Sequence, residues 1–152
     1  MYQRLLCLAS ALCLAGCMEG AKPSASLAKR TLYERLGGET VVVKLVDDFT
    51  AAVVANPKVR PEVKEHFQGE AGTALKRKLL DRIGQATGGP QQHTGKGMRD
   101  VYQELQVTGP DFDLLVDDWK AAMNYNNIGK EEQAELLALL ERTRKDVVEK
   151  PE

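Results

Sequence analysis

The sequence predicts an all-α fold for residues 31 to 148. The prediction rests on apolar residues that recur at helical spacing in each long segment, and on helix-start and helix-stop residues between those segments. No stretch shows a convincing strand or hairpin pattern. A length of 152 residues suits one domain with its own core, and a net charge of −1 argues against a large nucleic-acid surface.

The first two predicted helices are separated by a glycine pair. Thr31-Leu-Tyr-Glu34 has the spacing of a capping box, which opens a short helix, and Gly37-Gly38 ends it. The next helix covers Glu39 to Ala55 and ends at Asn56-Pro57, because the residue before a proline disfavours helical backbone. Its apolar positions follow helical spacing: Val42, Val43, Val46, Phe49 and Val53.

Proline and glycine also delimit the middle of the chain. Residues 58 to 69 are predicted to be irregular or briefly helical. A second long helix covers Ala71 to Thr87, with an apolar stripe, and ends at Gly88-Gly89-Pro90. The stripe consists of Leu75, Leu79 and Ile83.

Three helices are predicted in the last third of the domain. The first has apolar residues at positions i, i+3, i+4 and i+7, namely Met98, Val101, Tyr102 and Leu105. The second begins at Thr108-Gly-Pro-Asp111, with proline in its first turn, and runs to about Asn126. The third covers roughly Lys130 to Val148, and residues 149 to 152 form a tail.

The first 16 residues have the pattern of a signal peptide. Arg4 precedes an apolar run from Leu5 to Leu14, which is too short to span a bilayer because a span takes about twenty residues. Ala15-Gly16-Cys17 then resembles a bacterial lipobox. The resemblance predicts a lipidated Cys17, and the competing interpretation is an ordinary cleaved signal with an incidental cysteine.

A lipidated Cys17 implies a membrane anchor and a flexible tether over residues 17 to 30. The expected location is the periplasmic side of a membrane. Met18 stands where aspartate usually signals inner-membrane retention, so the outer membrane is favoured. All three cysteines of the chain lie in these first 17 residues. The domain that follows therefore has neither a disulfide nor a thiolate metal site.

Several familiar kinds of site are disfavoured. Gly95-Lys96-Gly97 lacks the earlier glycine and the following Ser or Thr of a phosphate-binding loop. His66 and His93 share no metal-ligand spacing, which argues against a zinc site. The acidic pairs Asp47-Asp48 and Asp117-Asp118 are predicted to lie on solvated helix faces, with no role in acid–base catalysis.

Residues 93 to 102, HTGKGMRDVY, hold the two most suggestive side chains. Tyr102 shares a helical face with Met98 and Leu105, so its ring is predicted to point inward. His93 precedes that helix in a glycine-rich loop. Both residue types can bind a metal, and the pattern alone leaves open whether either does.

The order of motifs along residues 31 to 148 resembles that of the group 1 truncated haemoglobins. The similar segments are TLYERLGGE, DDF, ATGGP, GKGM and VTGPDFDLLVDD, followed by a long last helix. The resemblance implies a compact globin, a two-over-two helical sandwich around a haem. It also implies a diatomic gas or other small molecule as the ligand of the haem iron.

Residue by residue, the resemblance places several side chains at the haem. Tyr102 stands where the family has its proximal histidine, His93 stands where it commonly has a tyrosine, and Met98 matches. Thr50, which follows Phe49, replaces a tyrosine that binds oxygen by a hydrogen bond. Phe67 resembles the phenylalanine that packs on the haem, and Leu75 and Leu79 stand where glutamine is often found.

The exchange of histidine and tyrosine leaves three interpretations. Tyr102 ligates iron as a phenolate, His93 swings in and ligates it, or the domain binds no haem and fills the pocket with large side chains such as Trp119. The function expected first is haem binding with non-standard proximal ligation and with weak or absent oxygen storage. The alternative is a haem-free globin module for interaction or sensing. Enzymatic activity is not expected, although peroxide or nitric oxide chemistry would suit ferric iron.

Overall fold

The computed structural model describes residues 30–92 and 107–148, and every regular element in these stretches is an α-helix. The helices are α1 (Leu32–Leu36), α2 (Gly38–Ala55), α3 (Pro61–Glu65), α4 (Gly69–Thr87), α5 (Gly109–Tyr125) and α6 (Lys130–Val147). The all-α prediction is confirmed. Within the same stretches, none of the helices is both long and apolar enough to cross a bilayer. The predicted helix through Met98 and Tyr102 lies outside the described residues.

Local capping sets most helix ends as predicted, although α2 and α4 begin one and two residues earlier than expected, at Gly38 and Gly69. The Thr31 hydroxyl accepts a hydrogen bond from the Glu34 N–H at 3.2 Å, and the Glu34 carboxylate accepts one from the Thr31 N–H at 3.0 Å. Thr108 and Asp111 form the same reciprocal pair at the start of α5. Gly37 ends α1 with a φ of 109°, a left-handed backbone that glycine adopts at little cost.

Two pairs of helices form the body of the domain. α2 packs against α4, α5 packs against α6, and the contact between α2 and α5 joins the pairs. α1 packs against α2, α4 and α6. The buried stripe of α2 lies at the centre, with residues that are at most 2% exposed: Val42, Leu45, Val46, Phe49 and Val53. This spacing of three and four residues is the one that places side chains on a single helix face.

A partly buried ion pair links the start of α3 to the start of α5. The Arg60 guanidinium donates from Nε to Asp111 Oδ1 at 3.0 Å and from Nη2 to Asp111 Oδ2 at 2.7 Å. The Asp111 side chain is 5% exposed and also accepts hydrogen bonds from Thr108. The Arg60 guanidinium and the Thr108 bonds hold the pKa of the Asp111 carboxyl at about 2, although its burial acts in the opposite direction.

We expect Asp111→Asn to reduce the free energy of unfolding by about 2 kcal/mol at pH 7. The pKa of Asp111 falls from an ordinary 3.8 to about 2 on folding. The stabilisation is therefore complete above about pH 4 and is lost as the pH falls through about 2. Urea unfolding at a series of pH values measures the difference between the two proteins. It should shrink over that pH window.

The matched control is Asp117→Asn on the same helix, because the Asp117 side chain is 66% exposed in its pair with Lys120. This control should change the free energy of unfolding by less than about 0.5 kcal/mol. An Asp111→Asn effect of equal size at pH 2.5 and pH 7 would contradict the role given to the charge of Asp111.

Candidate ligand-binding site

Three buried aromatic rings meet where the two helix pairs join. The ring of Phe49 on α2 stacks on the indole of Trp119 on α5, with centroids 4.0 Å apart and planes 11° apart. The Phe67 ring meets Phe49 edge-on at 5.8 Å and 78°. Each of the three is at most 6% exposed. Offset-stacked and edge-to-face pairs of this kind contribute beyond the area that they bury.

The helices hold each ring by a different local feature. Phe49 belongs to the buried stripe of α2, and Trp119 belongs to the buried stripe of α5 with Leu115 and Ala122. Phe67 follows α3, and its carbonyl oxygen lies only 2.4 Å from the point where Gly72 would carry a Cβ. Only glycine at position 72 therefore lets α4 approach the backbone of Phe67 so closely.

Leu75 and Leu79 bring α4 to this aromatic cluster. Both leucines are buried, and with the three rings they surround a cavity of about 20 Å³, enough for a single water molecule. α5 and α6 complete its described wall with Phe112, Leu115, Val116, Leu140 and Thr143. The structure thus brings together four of the predicted site residues: Phe49, Phe67, Leu75 and Leu79.

A second, larger cavity of about 320 Å³ lies between α4 and α6. It shares Leu79, Leu140 and Thr143 with the small cavity, and its volume is in the range of small-molecule sites. The rest of its described wall comes from two faces: Arg82, Ile83, Gln85 and Ala86 on α4, and Leu136, Leu139 and Arg142 on α6.

Polar groups are sparse around the small cavity. The predicted site residue Thr50 is not part of the described wall; it is buried, and its hydroxyl donates a hydrogen bond to the carbonyl oxygen of Asp47 in its own helix at 2.9 Å. The Thr143 hydroxyl likewise donates to the carbonyl oxygen of Leu140, at 2.7 Å. Leu75 and Leu79 carry no polar side-chain atom. A ligand beside Leu75, Leu79 and Thr143 would therefore find apolar contact, and these three side chains offer no donor that is left without a partner.

The predicted metal ligands lie outside the described residues. His93, Met98 and Tyr102 fall between residues 93 and 106, and Cys17 falls before residue 30. Among residues 30–92 and 107–148, no group of three or more His, Cys, Asp or Glu side chains could hold a metal ion. Iron ligation by Tyr102 or His93 and lipidation of Cys17 therefore stay predictions.

The prediction for the acidic pairs was wrong at Asp118. Its carboxylate is buried, with Oδ1 accepting a hydrogen bond from Asn56 at 2.9 Å and Oδ2 without a partner in the described part of the chain. Burial raises its pKa, and the Asn56 bond opposes the shift. The helical phase gave the signal, because position 118 shares a face with Leu115, Trp119 and Ala122.

The other acidic side chains are more exposed and pair with lysine. Asp47 forms an ion pair with Lys76, and Asp48 forms one with Lys44. Lys44 and the amide of Asn126 both lower the pKa of Asp48. These contacts link surface positions and place no acid–base pair beside either cavity.

The match of the chain to known proteins covers nearly all of the helical domain. A family model described as bacterial-like globin matches residues 31–149. The chain belongs to the bacterial-like globin family. This globin is 26% identical over 121 residues to a group 1 truncated haemoglobin of Tetrahymena pyriformis, which covers 80% of this chain and 97% of that protein. It is 29% identical to the group 1 truncated haemoglobin GlbN of a Synechocystis strain, over 72% of this chain and 88% of that protein.

Solved structures agree with the fold of this globin. The Fe(III) form of the truncated haemoglobin from Tetrahymena pyriformis superposes with a TM-score of 0.70 at 26% identity, covering 80% of this chain and all of that one. The 2/2 haemoglobin of a Synechococcus strain, in the cyanomet state with covalently attached haem, gives 0.69 at 25% identity, covering 78% and 98%. The predicted truncated-globin fold, with its two-over-two helices, is confirmed.

We expect Trp119→Ala to lower the free energy of unfolding of this globin by about 3–5 kcal/mol. The substitution removes the indole that stacks on Phe49 and leaves a cavity between the helix pairs. Tyr125→Ala on the same helix is the control, because Tyr125 is 74% exposed. In the described part of the chain, the one contact of its ring is with the Lys44 ammonium. Urea unfolding at pH 7 should show a loss of less than about 1 kcal/mol for the control. Equal losses for both variants would contradict a central role for the stack.

Proposed function

We propose that this globin binds haem, with iron ligated by Tyr102 or by His93, in a domain that is anchored to a membrane through Cys17. One observation carries the proposal for haem: an apolar cavity of about 320 Å³ between α4 and α6, which meets the buried aromatic cluster at Leu79 and Leu140. The relatives of this globin include a haemoglobin with covalently attached haem, which supports haem as the ligand here.

The described side chains suit a large apolar group that also carries negative charge. Leu79, Ile83 and Leu136 give an apolar interior, whereas Arg82 and Arg142 add positive charge to the wall. A haem has this combination of an apolar ring and two carboxylates. None of these side chains is an iron ligand, so the ligand would come from residues 93–106, where Tyr102 and His93 lie.

Tyr102 is the first candidate ligand because, by the resemblance of the surrounding motifs, it stands where the family has its proximal histidine. A phenolate ligates haem iron in catalase, so the chemistry is known in proteins. Ionising a free tyrosine at pH 7 costs about 4 kcal/mol, which a ferric centre offsets by withdrawing charge from the oxygen. His93 is the second candidate, because neutral imidazole needs no such compensation.

The apolar side of the pocket favours ferric ligand chemistry over oxygen storage. The Thr50 hydroxyl already donates its hydrogen bond to the carbonyl oxygen of Asp47, and Leu75 and Leu79 carry no donor. A diatomic ligand in this pocket would receive no hydrogen bond from these three residues. A tyrosine ligand would also favour ferric over ferrous iron. We therefore propose that this globin is a binding or redox protein, and we assign no catalytic step to it.

The proposal is tested by the absorption spectrum of the purified protein after addition of haemin. We expect a Soret band that saturates at one haemin per chain, under oxidising or reducing conditions. Tyr102→Phe should abolish or strongly shift the band if the phenolate is the ligand, whereas His93→Ala should leave it unchanged. The opposite pattern would assign His93. No band under either redox condition would overturn haem binding.

A haem-free globin module is the second candidate, and the tight aromatic cluster favours it. The stack of Phe49 on Trp119 leaves a cavity of only about 20 Å³ beside Leu75 and Leu79. In this candidate the large side chains substitute for a cofactor, and the domain serves interaction or sensing. A thermal unfolding midpoint that haemin does not raise, together with the absence of a Soret band, would support it.

The membrane anchor rests on Cys17 and on the apolar leader before it. We expect that the full chain, produced in bacteria fed with an alkyne-tagged fatty acid, will carry the label and partition into detergent. Cys17→Ser should abolish both results, because no thiol remains at the lipidation site. Cys13→Ser should keep both, since position 13 lies within the predicted signal peptide. Equal labelling of the two variants would contradict lipidation at Cys17.

A further inference from the structure

We infer that a third cavity, of about 140 Å³ between α1, α2 and α4, binds a small zwitterion: an α-amino acid with a short apolar side chain. Its described wall shares no residue with the small cavity beside the aromatic cluster or with the cavity between α4 and α6. The site is therefore separate from the pocket proposed for haem, and binding there does not depend on iron.

Helix α4 lines this third cavity with a face of its own. Arg77, Leu80 and Asp81 form part of the wall, at the i, i+3 and i+4 spacing that places side chains on one side of a helix. Leu79 and Ile83 line the cavity between α4 and α6 instead. The helix therefore separates the two cavities, and each has its own set of wall residues.

A shielded amide belongs to the wall of the third cavity. The Gln91 side chain donates a hydrogen bond from Nε2 to the hydroxyl oxygen of Tyr33 at 3.0 Å. Its Oε1 is shielded from solvent and accepts no hydrogen bond from the described part of the chain. A Cβ at position 84 would overlap this oxygen, so glycine there leaves room for the amide. A buried acceptor without a donor is unfavourable, so a donor from a bound molecule would stabilise it.

Charged side chains of both signs line the cavity without pairing. Arg77 and Asp81 are four residues apart on α4, and Glu39 comes from the first turn of α2. None of the three takes part in an ion pair or a side-chain hydrogen bond within the part of the chain that the structure describes. One positive and two negative groups are therefore available to a ligand.

These charges together favour a zwitterion over a simple ion. A ligand carboxylate would pair with the Arg77 guanidinium, and a ligand ammonium group would pair with Asp81 or Glu39. A simple anion would instead meet two carboxylates, and a simple amine would meet the guanidinium, and like charges at short distance repel. An α-amino acid is the small molecule that carries both groups on one carbon atom.

The apolar part of the wall and the volume limit the size of the ligand. Val42, Val43 and Leu80 contribute aliphatic surface, and Val42 is almost completely buried. The volume of about 140 Å³ is close to the roughly 150 Å³ of a cavity that accommodates benzene. Valine is slightly larger than benzene, and its charged groups can extend toward Glu39 and Arg77, whose side chains are exposed.

The test measures the binding of L-valine to the purified full-length protein by NMR titration, beside two probes that each lack one charged group. Isobutylamine has the ammonium group and no carboxylate, and 3-methylbutanoate has the carboxylate and no ammonium group. We expect one L-valine to bind per chain, about tenfold more tightly than either probe. A probe that binds as tightly as L-valine would overturn the inference.

Charge-removing variants assign the contacts. Arg77→Gln should lower the affinity for L-valine about tenfold and leave the affinity for isobutylamine unchanged or higher. Glu39→Gln with Asp81→Asn should also lower the affinity for L-valine about tenfold, and leave the affinity for 3-methylbutanoate unchanged or higher. Lys78→Gln is the matched control, because Lys78 is an exposed cation of α4 that does not line the cavity. Circular dichroism verifies that each variant is folded.

Addition of haemin separates this site from the pocket proposed for haem. Because the two cavities share no wall residue, we expect the same affinity for L-valine with and without haemin. Displacement of L-valine by haemin would place the amino acid in the other cavity and would overturn the inference. The absence of saturable L-valine binding, or an equal loss of affinity in Lys78→Gln and Arg77→Gln, would overturn it as well.

Discussion

The indole of Trp119 lies flat on the ring of Phe49, and this contact joins α2 to α5 at the middle of the domain. α4 packs on one side of α2, and α6 packs on one side of α5. The relative position of the two helix pairs, and hence the width of the gap between α4 and α6, therefore depends on how closely these two rings approach. A smaller side chain at either position would change the core and the cavity together.

The same packing separates two chemical environments that lie next to each other. Beside Phe49 and Phe67 the space is small, apolar and almost filled. Beyond Leu79 and Leu140 it widens and gains the positive charge of Arg82 and Arg142. One end of the site therefore suits close apolar contact, and the other suits a larger molecule with an anionic group.

Local signals predicted the helices well, because capping boxes, glycine stops and apolar stripes act within a few residues. The ends of α1, α2 and α4 followed directly from Gly37, Asn56 and Gly88. Contacts between distant segments were harder to predict. The burial of Asp118 against Asn56 depends on which helices face each other, and the pattern of a single helix does not contain that information. The resemblance to truncated haemoglobins was needed to associate Phe67 with Leu75 and Leu79, and their role toward a cofactor stays a prediction.

The ion pair between Arg60 and Asp111 joins positions that are 51 residues apart, so it closes a loop of the chain. That loop contains α3, α4 and residues 93–106, whereas α2 and α6 lie outside it and α5 only begins inside it. One wall of the cavity and both candidate iron ligands are therefore inside the loop. The helices beyond it supply most of the core. Substitutions within this loop can therefore alter the predicted cofactor site, while the residues that hold its ends, Arg60 and Asp111, stay the same.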